Sequence, residues 1–358
     1  MLTANQNIKI INIKFVFTCN FNLIMYYTKE MNKSKLIILI IIAAAILYTA
    51  PFLGKTETAS GNYSYNFGIE NVEQTVIKNV RIPQTLMAFL AGFALSICGL
   101  MYQTLFHNDL ASPYTLGVSS GAAFGAALAI KLQLISIYCI PAAPAFAFFF
   151  GCLTVLLLIC LPLYKKSFDT FTLLLTGVSL NFFFSALILL ISYLSNYSET
   201  FHIHRWLMGS IDELGYDNVL TMTGLCFAVL SILYYYREDL NIILISDETA
   251  QTRGVDIIKL KILLLISTSI LLAFCVALCG PIGFVGIICP HASKIIFGYD
   301  HKITLPVSAI AGGVFLCLCF TLSRLIIFPF IIPVGVVTSF IGGPFLIFIL
   351  MRNKRSRF

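Results

Sequence analysis

The sequence predicts an all-α polytopic membrane protein of about ten transmembrane helices. Three observations carry this. Hydrophobic residues make up 59% of the chain and charged residues only 11%, whereas about a quarter of a soluble domain is charged. Apolar runs of about 18 or more residues recur along the chain, the length a helix needs to cross a bilayer. The basic residues collect between these runs with a consistent bias to one side.

Taken in order, residues 1–30 show no apolar core followed by a small-residue cleavage site, so they do not read as a secretory signal peptide. Met31 opens "MNKSK", a short basic flank, which makes 1–30 an N-terminal extension or a mis-called start and 31–358 the transmembrane domain. The ten expected spans are Leu36–Leu53, Ile82–Leu105, Ser112–Ile130, Ile135–Tyr164, Phe171–Leu194, Asn218–Tyr236, Leu260–Cys279, Phe284–Phe297, Ile303–Ile326 and Pro333–Met351. The eighth is short and follows "GPIGFVG", whose glycines and proline predict a broken start; such backbone is tolerated at membrane depth only against protein or a water-filled cavity. With the N-terminus in the cytoplasm, seventeen of the 23 lysines and arginines fall inside, among them Lys165, Lys166, Arg237, Lys302 and the tail "RNKRSRF". Both termini are then cytoplasmic.

Several function classes drop out. The formal charge of +7 is scattered between spans, not clustered on a basic face, so nucleic acid is not a partner. The eleven cysteines form no C-x-x-C pair and read as small core residues, leaving no metal centre and no cofactor to hold. "GKT" at Gly54–Thr56 is no P-loop, because Thr49 stands where the earlier glycine is needed; any ATP is therefore hydrolysed by another chain. No serine–histidine–acid arrangement supports an enzyme. All sixteen acidic residues lie outside the spans or at their margins, which argues against an ion-coupled carrier. A stand-alone secondary transporter stays open as the rival reading, since carriers can use glycine-interrupted spans and backbone carbonyls.

Gly117, Gly121 and Gly125 recur every four residues, so they are expected to line one face of the third span and admit a neighbouring helix. His202 and His204, two apart in an outer segment, would share one side of a strand as a weak metal pair. Arg81 and Arg324 fall at outer span ends, where they either snorkel or meet an acidic partner, a role guanidinium suits. Between the sixth and seventh spans lies a charged island, "LISDETAQTRGVDIIKLK". Ser246 or Asp247 can cap a short helix, Gly254 offers a left-handed stop, and Asp256 can cap the turn leading into the seventh span.

The runs "RIPQTLMAFLAGFALSICGLMYQTLFHNDLASPYTLGVSSGAAFGA", "LLLTGVSLNFFFSAL", "RWLMGS", "GPIGFVGIICPHASKIIFGYDHKITLP" and "PVGVVTSFIGGPF" resemble, in order and spacing, the FecCD-type permeases. These are membrane subunits of bacterial ABC importers for iron–siderophore complexes, haem and vitamin B12. The resemblance covers about Met31 to the C-terminus. It implies a vitamin B12-importer-permease-like bundle in the bacterial inner membrane, paired with a second permease copy, two cytoplasmic ABC ATPases and an external substrate-binding protein, with an iron chelate as cargo. It assigns Arg81 and Arg324 to binding-protein docking. Asn108, Leu110 and Thr170 become the cytoplasmic gate. ATPase coupling falls to the loop of about residues 237–260, with Glu248, Ala250, Arg253 and Gly254. The chain departs from the family pattern at Gln84, often arginine, at Asp109, usually proline, and at Ile331, often acidic.

Overall fold

The computed structural model describes residues 34–57, 63–67, 74–137, 140–164, 169–327 and 331–353. The extension 1–30, Lys165, Lys166 and the end of the basic tail lie outside them. The chain divides into two units, Met1–Ile42 and Ala43–Phe358. Within the first, residues 34–42 are helical. The second holds the helical bundle.

Among the described residues, ten apolar helices stand at the ten expected positions. Seven are long and apolar enough to cross a membrane: α1 (Ser34–Phe52), α2 (Ile77–Leu105), α4 (Ala142–Tyr164), α5 (Thr170–Tyr193), α7 (Asp217–Tyr235), α10 (Ile257–Cys279) and α12 (His301–Ile326). Three are shorter in their apolar part: α3 (Val118–Lys131), α11 (Val285–Phe297) and α13 (Val334–Asn353). The polar connections add α6 (Tyr197–Leu207), α8 (Arg237–Ile243) and α9 (Asp247–Thr252). Two short hairpins complete the described elements: β1 (Leu53–Glu57) with β2 (Tyr63–Phe67), and β3 (Ser136–Ile137) with β4 (Ile140–Pro141).

Two spans begin later than expected. Residues 112–117 form turns in place of the start of α3, because proline at position 113 disfavours helix in the residue before it and Gly117 is left-handed with φ +78°. Ser136–Ile137 pairs antiparallel with Ile140–Pro141 as β3 and β4, and α4 starts at Ala142. The broken start of the eighth span is present: 280–284 are irregular, Gly280 and Phe284 both have φ +69°, and the amide of Ser210 reaches in to Cys279 O at 2.9 Å.

The core forms around α2, which packs on α12, α11, α10 and α7. Its most apolar window is 78% buried, against 28% for α5 and for α7, so α2 is central while α5 and α7 present apolar flanks to lipid or a partner. Close approach is made by glycine. A Cβ at Gly92 would run into the Gly312 carbonyl, and one at Gly99 into the Gly286 backbone. Polar pairs lock the same contacts: Ser96 and Ser308 hydroxyls meet at 2.8 Å, and Tyr102 and Ser269 at 2.8 Å. Such pairs suit an interior without water, where an unmade hydrogen bond is costly.

The glycine stripe is corrected in part. Gly121 and Gly125 do sit on α3, where added Cβ atoms would strike Thr154 and Phe146 of α4. Gly117 is not on that helical face; it stands at the N-cap of α3, seated against Gly177 and Asn181 of α5. The histidine pair is also corrected. His202 and His204 lie in helix α6, opened by a capping box of Asn196 and Glu199, and residues two apart on a helix do not share a face. Among the described residues no group of three or more His, Cys, Asp or Glu could hold a metal.

Candidate functional site

The charged island folds as its local chemistry requires. Ser246 Oγ accepts from the Thr249 amide at 3.1 Å, which caps α9 and satisfies one of its orphan donors. After Thr252 the chain turns through Gly254 at φ +83°, a conformation that costs glycine nothing. Asp256 Oδ1 then accepts from the Lys259 amide at 3.2 Å and starts α10. The Lys259 ammonium, 2.9 Å from Asp256, holds that carboxyl below the ordinary range together with the amide.

The named side chains divide by exposure. Glu248, Arg253 and Gly254 are exposed, and nothing lies within 4 Å of a Cβ added at Gly254. Ala250 is fully buried; its carbonyl accepts from Val255 N at 3.0 Å and closes the turn. Glu248 and Arg253 are therefore presented outward on a knob that Ala250 anchors.

Two histidines fix the preceding helix α8. His107, at φ +48°, places Nε2 2.7 Å from Ile243 O. His301 is buried, with Nδ1 2.7 Å from Asn241 Oδ1 and Nε2 2.9 Å from the Thr104 hydroxyl. The knob is thereby tied to the ends of α2 and α12.

Each proposed gate segment is held by a buried lysine that sequence reasoning missed. Asn108 Oδ1 accepts from Leu110 N at 2.9 Å, an Asx turn that leaves the Leu110 side chain exposed. Asp109, between them, accepts from Lys294 Nζ at 2.8 Å, and the same ammonium donates to Gln103 Oε1 at 2.9 Å. Thr170, the first residue of α5, accepts from Lys261 Nζ at 3.2 Å, and Lys261 also donates to Asp247 Oδ2 at 2.6 Å. Lys261 and Lys294 are 1% and 3% exposed. The signal was available: each is a cation just inside an apolar run, where an unpaired charge is expensive. Its partners were not, since Asp109 and Thr170 lie 185 and 91 residues away and the Asp247 contact depends on how α9 folds back on α10.

At the other end of the bundle Arg81 and Arg324 come together. Arg324 Nη2 donates to Ala50 O at 2.8 Å and Arg81 Nη1 to Pro51 O at 3.5 Å. Both guanidiniums thus cap the carbonyl end of α1, where Ala50 O accepts the Leu53 amide as well, a favourable position for a cation. Arg324 is 9% exposed and stacks over Phe320 at 4.8 Å, whereas Arg81 is half-buried. Phe320 also lines a cleft with Phe201, His204, Arg205, Asp212 and Ser323. Of the departures, Gln84 is half-buried and Ile331 exposed.

Comparison with known proteins shows the family and the fold. Residues 29–352 match the model of the FecCD transport family. The chain is 37% identical, over 78% of its length and 80% of the relative's, to an uncharacterized ABC transporter permease protein, YvrB, of Bacillus subtilis. It is 34% identical, over 81% of its length and 77% of the relative's, to the cobalamin import system permease protein BtuC of Halobacterium salinarum. Among solved structures it is similar to a metal-chelate type ABC transporter in an inward-facing conformation, with a TM-score of 0.79 and 29% identity over 89% of this chain and 99% of that one. With the family model covering all ten apolar helices and the capped knob, the chain belongs to the FecCD transport family, and is an ABC transporter permease.

Proposed function

We propose that this chain is the membrane-spanning subunit of a binding-protein-dependent importer for metal chelates, with iron(III)–siderophore complexes first and haem or cobalamin next. Two copies, or one copy and a close relative, surround the path. Two ATPases dock at the knob through Glu248, Arg253 and Gly254, seated on Ala250. An external binding protein delivers the chelate at the Arg81 end. Asn108, Leu110 and Thr170 form the gate toward the cytoplasm, and the chain lies in the bacterial inner membrane with both termini inside.

The observation that carries the reading is the knob. Two capped helical segments and a left-handed glycine hold two exposed charges rigidly outside an apolar bundle, which a simple connection does not need. The cargo class rests on the similarity to a metal-chelate type transporter. The chain supplies a path and two interfaces, and ATP-driven closure of the partners switches the helices between two packings. Acidic docking partners fall to Arg81, since Arg324 is buried and acts by shaping the end of α1.

The test is reconstitution with a partner ATPase and binding protein, scoring ATP hydrolysis and uptake with ferric siderophores, haem and cobalamin in turn. Stimulation and uptake with a ferric siderophore are expected. Uptake that persists without the ATPase would establish the secondary transporter instead, and stimulation by cobalamin alone would replace the iron assignment.

A further inference from the structure

Lys261 joins three elements at one ammonium. It stands one turn into α10, is 1% exposed, and donates to Asp247 Oδ2 on the first residue of α9 and to Thr170 Oγ1 on the first residue of α5. Asp247 and Thr170 are far apart in sequence, and the one ammonium bonds to both.

Stability alone does not account for this choice. A buried ion pair is commonly replaceable by apolar residues without loss, because desolvation offsets the attraction. Ile257, Leu260, Leu264 and Leu265 fill the neighbouring buried positions of α10, so an apolar side chain at 261 would continue an existing core. What a lysine adds is a directed tie. Its flexible stem with three donors can hold a carboxylate on one element and a hydroxyl on another at once. The carboxylate belongs to the knob whose outer face carries Glu248 and Arg253, and the hydroxyl belongs to the helix that opens the proposed gate.

We propose that Lys261 is the positioning residue that conveys movement of the α9 knob to the start of α5. Displacement of α9 toward or away from the membrane carries Asp247 with it, Asp247 carries the ammonium, and the ammonium pulls on Thr170. α5 is the suitable recipient, because most of its surface is free of the bundle core and its first turn is exposed at Phe171. The inference rests on the reading of α9 as the ATPase contact, and the experiment separates the two.

The test is hydrogen–deuterium exchange of the full chain assembled with its cognate ATPase in lipid nanodiscs, with and without trapping by ATP plus vanadate as the ADP–vanadate state. Peptides spanning 247–254 and 169–175 are followed in wild type, Lys261→Met, Lys261→Arg and Thr170→Val. In wild type both peptides change on trapping. In Lys261→Met and Thr170→Val the 247–254 change persists while the 169–175 change is lost, and Lys261→Arg restores it. Thr170→Val keeps the buried ion pair, so its result stands even if Lys261→Met assembles poorly. If 169–175 still responds fully in Thr170→Val, the tie is not the conveyor and the proposal is overturned while ATPase docking survives. If 247–254 does not respond in wild type, docking at α9 and the proposal fall together.

Discussion

The Lys294 ammonium lies 2.8 Å from Asp109 Oδ1, inside the bundle at the end of α11. The lysine side chain is 2% exposed and the carboxylate 44%, which makes the two partners unequal. Removing the carboxylate strands a buried cation with only Gln103, a loss of about 3 kcal/mol by analogy with broken buried pairs. Asp109→Ala should therefore lower the melting temperature markedly in detergent, and adding Lys294→Met should recover most of it. Equal melting of Asp109→Ala and wild type would show that the pair contributes nothing.

The glycine contacts predict opposite outcomes at two helical glycines. Gly99→Ala drives a methyl into the Gly286 backbone, and backbone cannot yield as a side-chain tip can; overpacking of this kind costs about 1–3 kcal/mol or more. Gly224, within α7, has nothing within 4 Å of an added Cβ, so Gly224→Ala should be neutral or gain up to about 1 kcal/mol from helix propensity. Thermal unfolding of both variants side by side checks the contrast.

At the other end, Glu199 accepts from Lys131 at 2.9 Å and Gln133 at 2.9 Å and from the Asn196 amide. Those bonds, Lys131 first, pull its carboxyl down from 4.5 to about 2. A folded-state value below the unfolded one means stability that is whole above the ordinary carboxylate range and fades as pH falls toward 2. The cap of α6 should hold from pH 7 to about 5 and loosen progressively below. Glu199→Gln should show the loosened exchange at residues 196–200 already at pH 7, and lose the acid dependence.

The two outer arginines should separate by phenotype. Arg81→Glu is expected to weaken binding-protein association in a salt-dependent way, because its charge is partly solvated. Arg324→Ala removes a cation that covers Ala50 O and stacks on Phe320, so it should lower thermal stability first. Light-scattering association and melting curves on the same preparations distinguish them. A pure stability loss in Arg81→Glu would remove it from the docking surface.

At the knob, Glu248→Arg alters an exposed charge and should leave melting within about 0.5 kcal/mol of wild type, as surface changes do. Gly254→Val forces a branched residue into left-handed backbone, at about 1–3 kcal/mol, confined to a turn with open space around it. Both are expected to keep the protein in the membrane and to uncouple ATP hydrolysis from uptake. Normal coupling in both would move the ATPase contact elsewhere.

Much of the fold and of the knob was readable from residue order because the forces are local. Long apolar runs fix which segments enter a membrane, and Ser246, Gly254 and Asp256 act on their own or adjacent turns. Legibility ended where the determinant lay far along the chain. The partners of Lys261 and Lys294, the seating of Gly117 against α5, and the convergence of Arg81 and Arg324 on α1 all depend on packing. The histidine pair misled because alternation two apart suits a strand, and the Asn196–Glu199 capping box that makes that segment helical went unread.

The backbone contact between Gly99 and Gly286 also bears on how this protein should be observed. At that point the two helices meet backbone to backbone with no rotamer to rearrange, and the Lys294–Gln103 bond ties them again further along, so α2 and α11 should travel together. They form a fixed frame of reference. A spectroscopic label on either would serve as the stationary end of a ruler, and distances from it to α5 or to α9 would measure displacement of those elements alone.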